Sequence, residues 1–243
     1  MEPMSMPWWT MRHAGQWLAI LARLILVLLA ACTPAWPAPE RAGVTRTSES
    51  QVTALPTPRV KGTLTLEETL AQRRSVREFS TTSLTLAELG QLLWAAQGIT
   101  DPAGLRTAPS AGALYPLEVY AVTREGVYHY EPQEHELTVQ VQGDVRSALY
   151  EAALRQDAVL NAPAVIVIAA VYARTAQKYG EERSPRYVHL EAGHAAQNVL
   201  LQAVALNLGA VPVGAFLDDN VKQVLELPSN QEPLYLIPVG RLK

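Results

Sequence analysis

A single cysteine, Cys32, leaves this chain without any internal disulfide framework. A basic excess is missing as well. Lysine and arginine number 20 against 23 acidic residues, a net charge of −3, which removes the electrostatic footprint of a nucleic-acid binder. No GxGxxG and no GxxxxGK[ST] occurs, so neither a Rossmann dinucleotide site nor a P-loop is supported. The five histidines form no HExxH, which leaves the zinc-hydrolase signature out. Ala108-Pro109-Ser110-Ala111-Gly112 is one residue away from a nucleophile elbow. That turn needs a buried strand before the serine and a helix after it. Here a polar loop precedes Ser110 and Pro116 follows, which weakens a serine hydrolase.

Long apolar runs are short of membrane length too. Leu24–Leu29 is the centre of an apolar stretch that Arg23 interrupts, too short to cross about 30 Å of hydrocarbon as a helix. Met11-Arg12-His13 precedes it and Ala30-Ala31 follow, the layout of a secretory signal peptide with its small-residue cleavage site. Leu29-Ala30-Ala31-Cys32 resembles the bacterial lipobox, which implies removal of residues 1–31, lipidation of Cys32 and export to the outer side of a bacterial membrane. An ordinary signal peptide or a retained anchor are the alternatives. Residues 32–61 then carry Pro34, Pro37, Pro39, Pro56 and Pro58 among Ser, Thr and Ala. Such a segment buries too little surface to offset its chain entropy, and is expected to be a disordered tether.

What is present begins at residue 62. At 49% hydrophobic and 18% charged, the chain can build a sizeable core. Thr65-Leu66-Glu67-Glu68 and Thr85-Leu86-Ala87-Glu88 read as capping boxes, opening helices over Leu66–Gln72 and through Gln97, with Gly98 as the second stop. Alternating stretches at Leu117–Thr123, Gly126–Tyr130 and Glu136–Val141 predict an antiparallel meander. Asp144 is placed to cap a helix running to Leu154, and Ala164–Val171 predicts a strand buried on both faces. A long apolar helix is expected over Tyr187–Leu208, ended by Gly209 and central to the core or shared with a second subunit. Strands at Val211–Phe216 and Leu234–Val239 flank a helix at Asp219–Leu227. Helices mixed with local antiparallel pairing predict the α+β class.

Two clusters carry chemistry. Arg73-Arg74-Ser75-Val76-Arg77-Glu78-Phe79 sets three guanidiniums and a hydroxyl within five positions, directly after a helix. Guanidinium forks suit phosphate oxygens. Equally, cations can complement a helix C-terminus as a solvated cluster. On the long helix Glu191, His194, Asn198 and Gln202 share a face. Glu-x-x-His is half of a di-iron motif, but the second half is absent, so a polar seam is the simpler reading.

Taken in order, Arg73–Phe79, Ala108–Pro116, Gly209–Phe216 and Pro238-Val239-Gly240-Arg241 resemble the FMN-dependent nitroreductase superfamily, most closely its SagB-type dehydrogenase branch. Gly193-His194-Ala195-Ala196-Gln197-Asn198 also looks like that branch's helix signature. The resemblance covers Leu66 to Lys243 and implies a homodimer with FMN at the subunit interface. It implies that Arg73, Arg74, Ser75 and Arg77 hold the FMN phosphate and that Gly240 and Arg241 complete that site. It further implies that Pro109, Ser110, Ala111 and Gly112 cover the flavin from the partner subunit. Pro212, Val213, Gly214 and Ala215 would line the flavin edge, with backbone donors near N5. Where classical nitroreductases usually carry Asn and Gln, this chain has Ala113 and Tyr115, so a nitroarene preference does not transfer. Azoline-oxidising members of the branch use a Lys-Tyr pair for proton abstraction, and Lys178-Tyr179 stands at a comparable place. Gln177, Gly180, Glu181 and Glu182 around it equally suit a surface loop. Two classes remain from the sequence. One is an oxidoreductase passing electrons from NAD(P)H or another donor to a small molecule. The other is a membrane-tethered flavin or ligand-binding module.

Overall fold

The computed structural model describes residues 51–243. The signal peptide, Cys32 and most of the proposed tether lie outside the described residues. Among the described residues, seven antiparallel strands form one sheet in the order β1-β4-β3-β2-β5-β7-β6. They are β1 (Val52–Ala54), β2 (Leu117–Val122), β3 (Gly126–Glu131), β4 (Glu136–Gln142), β5 (Ala164–Ala170), β6 (Leu208–Ala210) and β7 (Glu232–Arg241). The helices are α1 (Leu66–Gln72), α2 (Leu86–Gln97), α3 (Arg146–Ala152), α4 (Asp157–Asn161), α5 (Tyr172–Tyr179), α6 (Ser184–Ala205) and α7 (Asp218–Val224). The expected α+β class is what the structure shows.

Strand β5 explains the layering. Every residue of it is apolar and buried, and it lies between β2 and β7. Ile166 and Ile168 join Leu92, Leu93, Val188 and Val199 of α2 and α6 in one core. Val165 and Val167 join Leu149, Val159 and Val221 of α3, α4 and α7 in another. Alanines 192, 195, 196 and 203 form part of the buried side of α6, and side chains this small let a helix lie close to a sheet.

Both capping boxes are present. Glu68 N donates to Thr65 Oγ1 at 3.2 Å and Thr65 N to Glu68 Oε2 at 2.7 Å, and Thr85 and Glu88 repeat the same two distances. Gly98 does end α2, but in an extended conformation with φ −65°. A Cβ there would lie 2.1 Å from the Trp94 ring, so packing rather than left-handed geometry requires the glycine.

Several expected boundaries are corrected. The end of the tether is folded: β1 pairs with Glu136–Thr138, Leu55 is buried, and Arg59 N donates to Gln91 Oε1 at 2.8 Å. A three-residue strand gives too short a pattern to stand out among prolines. Helix α6 begins earlier than expected because Pro185 occupies its first turn, and stops earlier because Asn207 adopts φ 56°. Its outward side chains Arg186, His189, Leu190, His194 and Gln197 are exposed, so the helix is not apolar all round. Val145, not Asp144, is the N-cap of α3, although Asp144 Oδ1 does accept from Arg146 N at 3.1 Å. The expected strand Val211–Phe216 contributes only the Val213 bridge to Leu236, since Pro212 beside it has no N–H to give the ladder.

Loss of a capping hydroxyl should be measurable here. Thr85→Ala is expected to lower stability by about 1 kcal/mol in urea unfolding.

Candidate functional site

Leaving α1, the Arg73–Phe79 segment turns onto the far edge of the sheet. Ser75 bridges Ala210 in parallel, Val76 N donates to Ala210 O at 3.0 Å, and Ser80 N donates to Arg241 O at 3.0 Å. Gly209 and Gly240 face one another across β6 and β7. A Cβ on Gly209 would lie 2.6 Å from Val76 Cγ1, and one on Gly240 would lie 2.6 Å from Pro163 Cδ and 2.9 Å from Phe79 Cβ. The two glycines are thus a flat shelf on which Val76 and Phe79 sit. Gly240, expected at the cofactor, has this packing role.

Seating Val76 and Phe79 leaves Ser75 and Arg77 exposed and Arg73 half-buried. Among the described residues, none of these three side chains has a hydrogen-bonding or ionic partner. Arg74 differs: its Nη1 donates to Ala71 O at 3.0 Å and Arg73 O at 2.7 Å, so it caps the C-terminus of α1. Arg241 Nη2 donates to Glu88 Oε2 at 3.0 Å. Burial alone would raise the Glu88 carboxyl, but the Thr85 donors and Arg241 outweigh it and hold it below its ordinary range.

From Ala210 the chain passes Pro212 to Val213, whose N–H and C=O both pair with Leu236, at 2.8 and 3.0 Å. There the ladder stops. The amides of Gly214 and Ala215 have no backbone partner among the described residues, and both residues are exposed. Gly214 opens onto a cavity of about 410 Å3 shared with Tyr172, His189 and Tyr235. Four residue steps of chain, at most about 14 Å when extended, separate Ala210, which Ser75 bridges, from Gly214.

The Pro109–Gly112 loop lies elsewhere in the chain, beside the N-terminal half of α6. It is tightly wound, with positive φ at Gly112 (65°), Ala113 (55°) and Tyr115 (45°), and is closed by Tyr115 N donating to Ser110 Oγ at 2.9 Å. Helix α5 presses on it. A Cβ on Gly112 would lie 2.8 Å from Lys178 Nζ and 3.1 Å from the Tyr179 hydroxyl. One turn earlier Arg174 Nη1 donates to Tyr115 O at 3.1 Å, and its Nη2 pairs with Glu118. Lys178 and Tyr179 thus end a helix and face the loop, rather than lying in a loop of their own.

Two of the four seam residues on α6 are hydrogen-bonded. Asn198 Nδ2 donates to Thr107 O and Gln202 Oε1 accepts from Gln91 Nε2, both at 3.2 Å. Glu191 is buried, and burial pushes its carboxyl up to about 7 against the opposing effect of Ser110, Arg106 and Gln97. His194 is exposed.

One group was missed from the sequence. His129 Nε2 lies 2.7 Å from Glu118 Oε2 and its Nδ1 lies 2.8 Å from Glu131 Oε1. Glu118 thus ties β2 to β3 through His129 and to α5 through Arg174. The signal was available, because Glu118 interrupts an apolar strand and His129 and Glu131 share one face of the next.

Residues 70–241 match the Nitroreductase family. The chain belongs to the nitroreductase family. It is 48% identical over 182 residues to a protein of Methanocaldococcus jannaschii provisionally named a nitroreductase, covering 72% of this chain and 90% of that one. A Ralstonia eutropha structure, also provisionally named a nitroreductase, superposes with a TM-score of 0.73 at 33% identity, over 79% of this chain and 90% of its own. A chain of the Escherichia coli microcin synthetase McbBCD complex shares the fold, with a TM-score of 0.63 at 21% identity, over 100% of this chain and 99% of that one. The family is one of oxidoreductases.

The Glu118 network gives a pH-dependent prediction for this nitroreductase-family protein. Burial alone would lower the His129 imidazole, but Glu118 and Glu131 outweigh it and raise it. Burial alone would raise the Glu118 carboxyl, but His129 and Arg174 outweigh it and lower it. The histidine's contribution is complete below about 6.5 and is lost as pH rises through its raised folded value. The glutamate's contribution is complete above about 4.5 and is lost as pH falls through its depressed one. Glu118→Gln should cost about 1.5–3 kcal/mol between those limits, and His129→Gln should flatten the alkaline side of the stability profile. Urea unfolding as a function of pH reads both.

Proposed function

We propose that this chain is an FMN-dependent oxidoreductase of the SagB-type dehydrogenase branch, working as a homodimer. The observation that carries the reading is the sheet edge where Arg73, Ser75 and Arg77 stand without partners, held there by the Gly209–Gly240 shelf. Such a donor set fits a phosphomonoester dianion, and the Gly214 and Ala215 amides fit the acceptor atoms of a flavin edge. Arg73, Ser75 and Arg77 would bind the phosphate, with Arg241 beside them. Arg74, already capping α1, would contribute positive field rather than a contact. Bound FMN would supply reversible two-electron acceptance, and an amide donor near its N5 favours the reduced form. The donor would be NAD(P)H or another small reductant, and the acceptor a small oxidised molecule. The dimer follows from the resemblance, with the Pro109–Gly112 loop reaching the partner's flavin. Exposed Leu66 and Leu70, one turn apart on α1 next to Arg73, offer apolar surface for such a contact.

Lys178 and Tyr179 favour a second reading, an azoline-type peptide dehydrogenase. Both side chains converge on Gly112, where an amine and a phenol beside the covering loop could hold and move a proton. Against it stands the proposed export of the protein, which would separate it from cytosolic peptide-modifying partners.

Loss of one guanidinium at the phosphate should cost about 1.5–3 kcal/mol, hence roughly ten- to a hundredfold in FMN affinity. Arg73→Ala should therefore purify largely colourless, while riboflavin, lacking the phosphate, should bind wild type and variant equally weakly. Full yellow occupancy in Arg73→Ala with unchanged FMN affinity would return the cluster to a helix-end role. Anaerobic reduction of the loaded protein with candidate donors separates an enzyme from a flavin-binding module.

The anchor is proposed on the lipobox alone. Cys32→Ser should move the protein from the membrane fraction to the soluble one or block processing of the leader. Unchanged retention and unchanged mature mass would count against lipidation.

A further inference from the structure

Behind the Pro109–Gly112 loop lies a cavity of about 440 Å3 formed within one chain. Its charged lining is Arg106, Arg174, His129, Glu118 and Glu131. Four of these five satisfy one another. Glu118 takes Arg174 and one nitrogen of His129, and Glu131 takes the other. Arg106 is left over. Its Nη1 donates to the neutral Gln97 amide oxygen at 2.9 Å and its guanidinium stacks on Tyr115, 4.6 Å from the ring centroid. No described carboxylate forms an ion pair with it.

Two donors at this spot are also unsatisfied. Arg106 Nε and Gln97 Nε2 are both buried without a hydrogen-bond partner, and Gln97, fully buried, lines the cavity. Arg106 is only partly buried, and a cation without a carboxylate partner, set beside buried donors without acceptors, favours an anionic acceptor joining them. The candidate counter-charge inside the protein is Glu191, whose Oε1 is likewise buried without a partner. Burial pushes its carboxyl up to about 7 against the opposing effect of Arg106, which weakens it as a counter-charge below neutral pH. The remainder of the lining includes Leu114, Leu117, Val119 and Pro132, which are apolar.

We propose that this cavity binds a small monocarboxylate with a short apolar tail, its carboxylate held by Arg106 and its tail against Leu114, Leu117 and Val119. A single planar fork, fixed by Gln97 on one side and Tyr115 on the other, matches one carboxylate in charge and shape. A phosphate dianion would bring a second charge towards Glu118 and Glu131 with no second free cation to meet it. Tyr115 continues directly from the loop, so occupancy would brace the segment that Lys178 and Tyr179 press on from the other side. The cavity does not depend on a bound flavin.

Titration calorimetry on the purified protein at mildly acidic pH tests this, using butyrate and hexanoate against butyramide and hexanamide. Butyrate should bind and butyramide should not, and hexanoate should bind more tightly than butyrate. Arg106→Gln should weaken butyrate at least about tenfold, and Arg106→Lys should restore part of the loss. Glu191→Gln should keep or improve binding, because it removes only a competing acceptor. Equal binding of acid and amide by wild type, a measurement that needs no variant, would overturn the proposal. So would wild-type affinity in a folded Arg106→Gln protein. Binding by Glu191→Gln but not by wild type would also overturn it, by assigning Glu191 as the counter-charge of Arg106. Inorganic phosphate displacing butyrate with higher affinity would reject the carboxylate class.

Discussion

The contact on which the candidate site depends is the close approach of Val76 and Phe79 to Gly209 and Gly240. Two facing glycines remove the side chains that would otherwise stand between strand and segment. A Cβ at either position falls well inside van der Waals distance of its neighbour. The consequence is positional. With Val76 seated, its two neighbours Ser75 and Arg77 point away from the shelf and are exposed at the sheet edge. Cations that a sequence would normally scatter over a solvated face are thereby fixed relative to β6, and through it to the free amides of Gly214 and Ala215.

The second organising contact is α5 on the Pro109–Gly112 loop. Arg174 and Lys178 lie one turn apart on one face of that helix and meet Tyr115 O and Gly112 respectively. Positive φ angles at Ala113 and Tyr115 are unfavourable for residues with a Cβ. Such a conformation persists only where its surroundings hold it, here the Ser110 bond from inside and Arg174 from outside. The Glu118 network is what keeps Arg174 in place, so the shape of the loop is set by ionic groups two elements away.

Much of this was legible in the sequence, for identifiable reasons. Capping boxes are local, so α1 and α2 could be read to the residue at their starts. Strand β5 was visible because seven consecutive apolar residues leave no other role between bounding turns. Short polar elements were not legible. Helix α5 fully buries only Thr175, and its inward face of Tyr172, Thr175, Ala176 and Tyr179 is too short and too polar to stand out. Strand β1 is three residues long and is held by pairing with a strand more than eighty positions away. At the site, Arg73, Ser75 and Arg77 were readable as a cluster, but nothing local says that Arg74 turns back to its own helix. The Glu118–His129–Arg174 group is assembled across β2, β3 and α5, and only the fold brings it together.

Arg241 shows how structural and functional demands on one side chain can coexist. Its bond to Glu88 ties the end of β7 to the start of α2, beside the Thr85 cap, so removing it would loosen two elements at once. Taken alone, that pairing withdraws Arg241 from any phosphate site. A guanidinium, however, has five N–H donors, and only one is committed to Glu88. The backbone of Arg241 lies next to the end of the segment that carries Arg73 and Arg77, since Ser80 N is bonded to its carbonyl. Glu88 then acts as the carboxylate that orients the arginine, its own pKa held down by the Thr85 donors, while the fork keeps donors uncommitted among the described residues. A latch and an anion contact therefore need not compete for this residue.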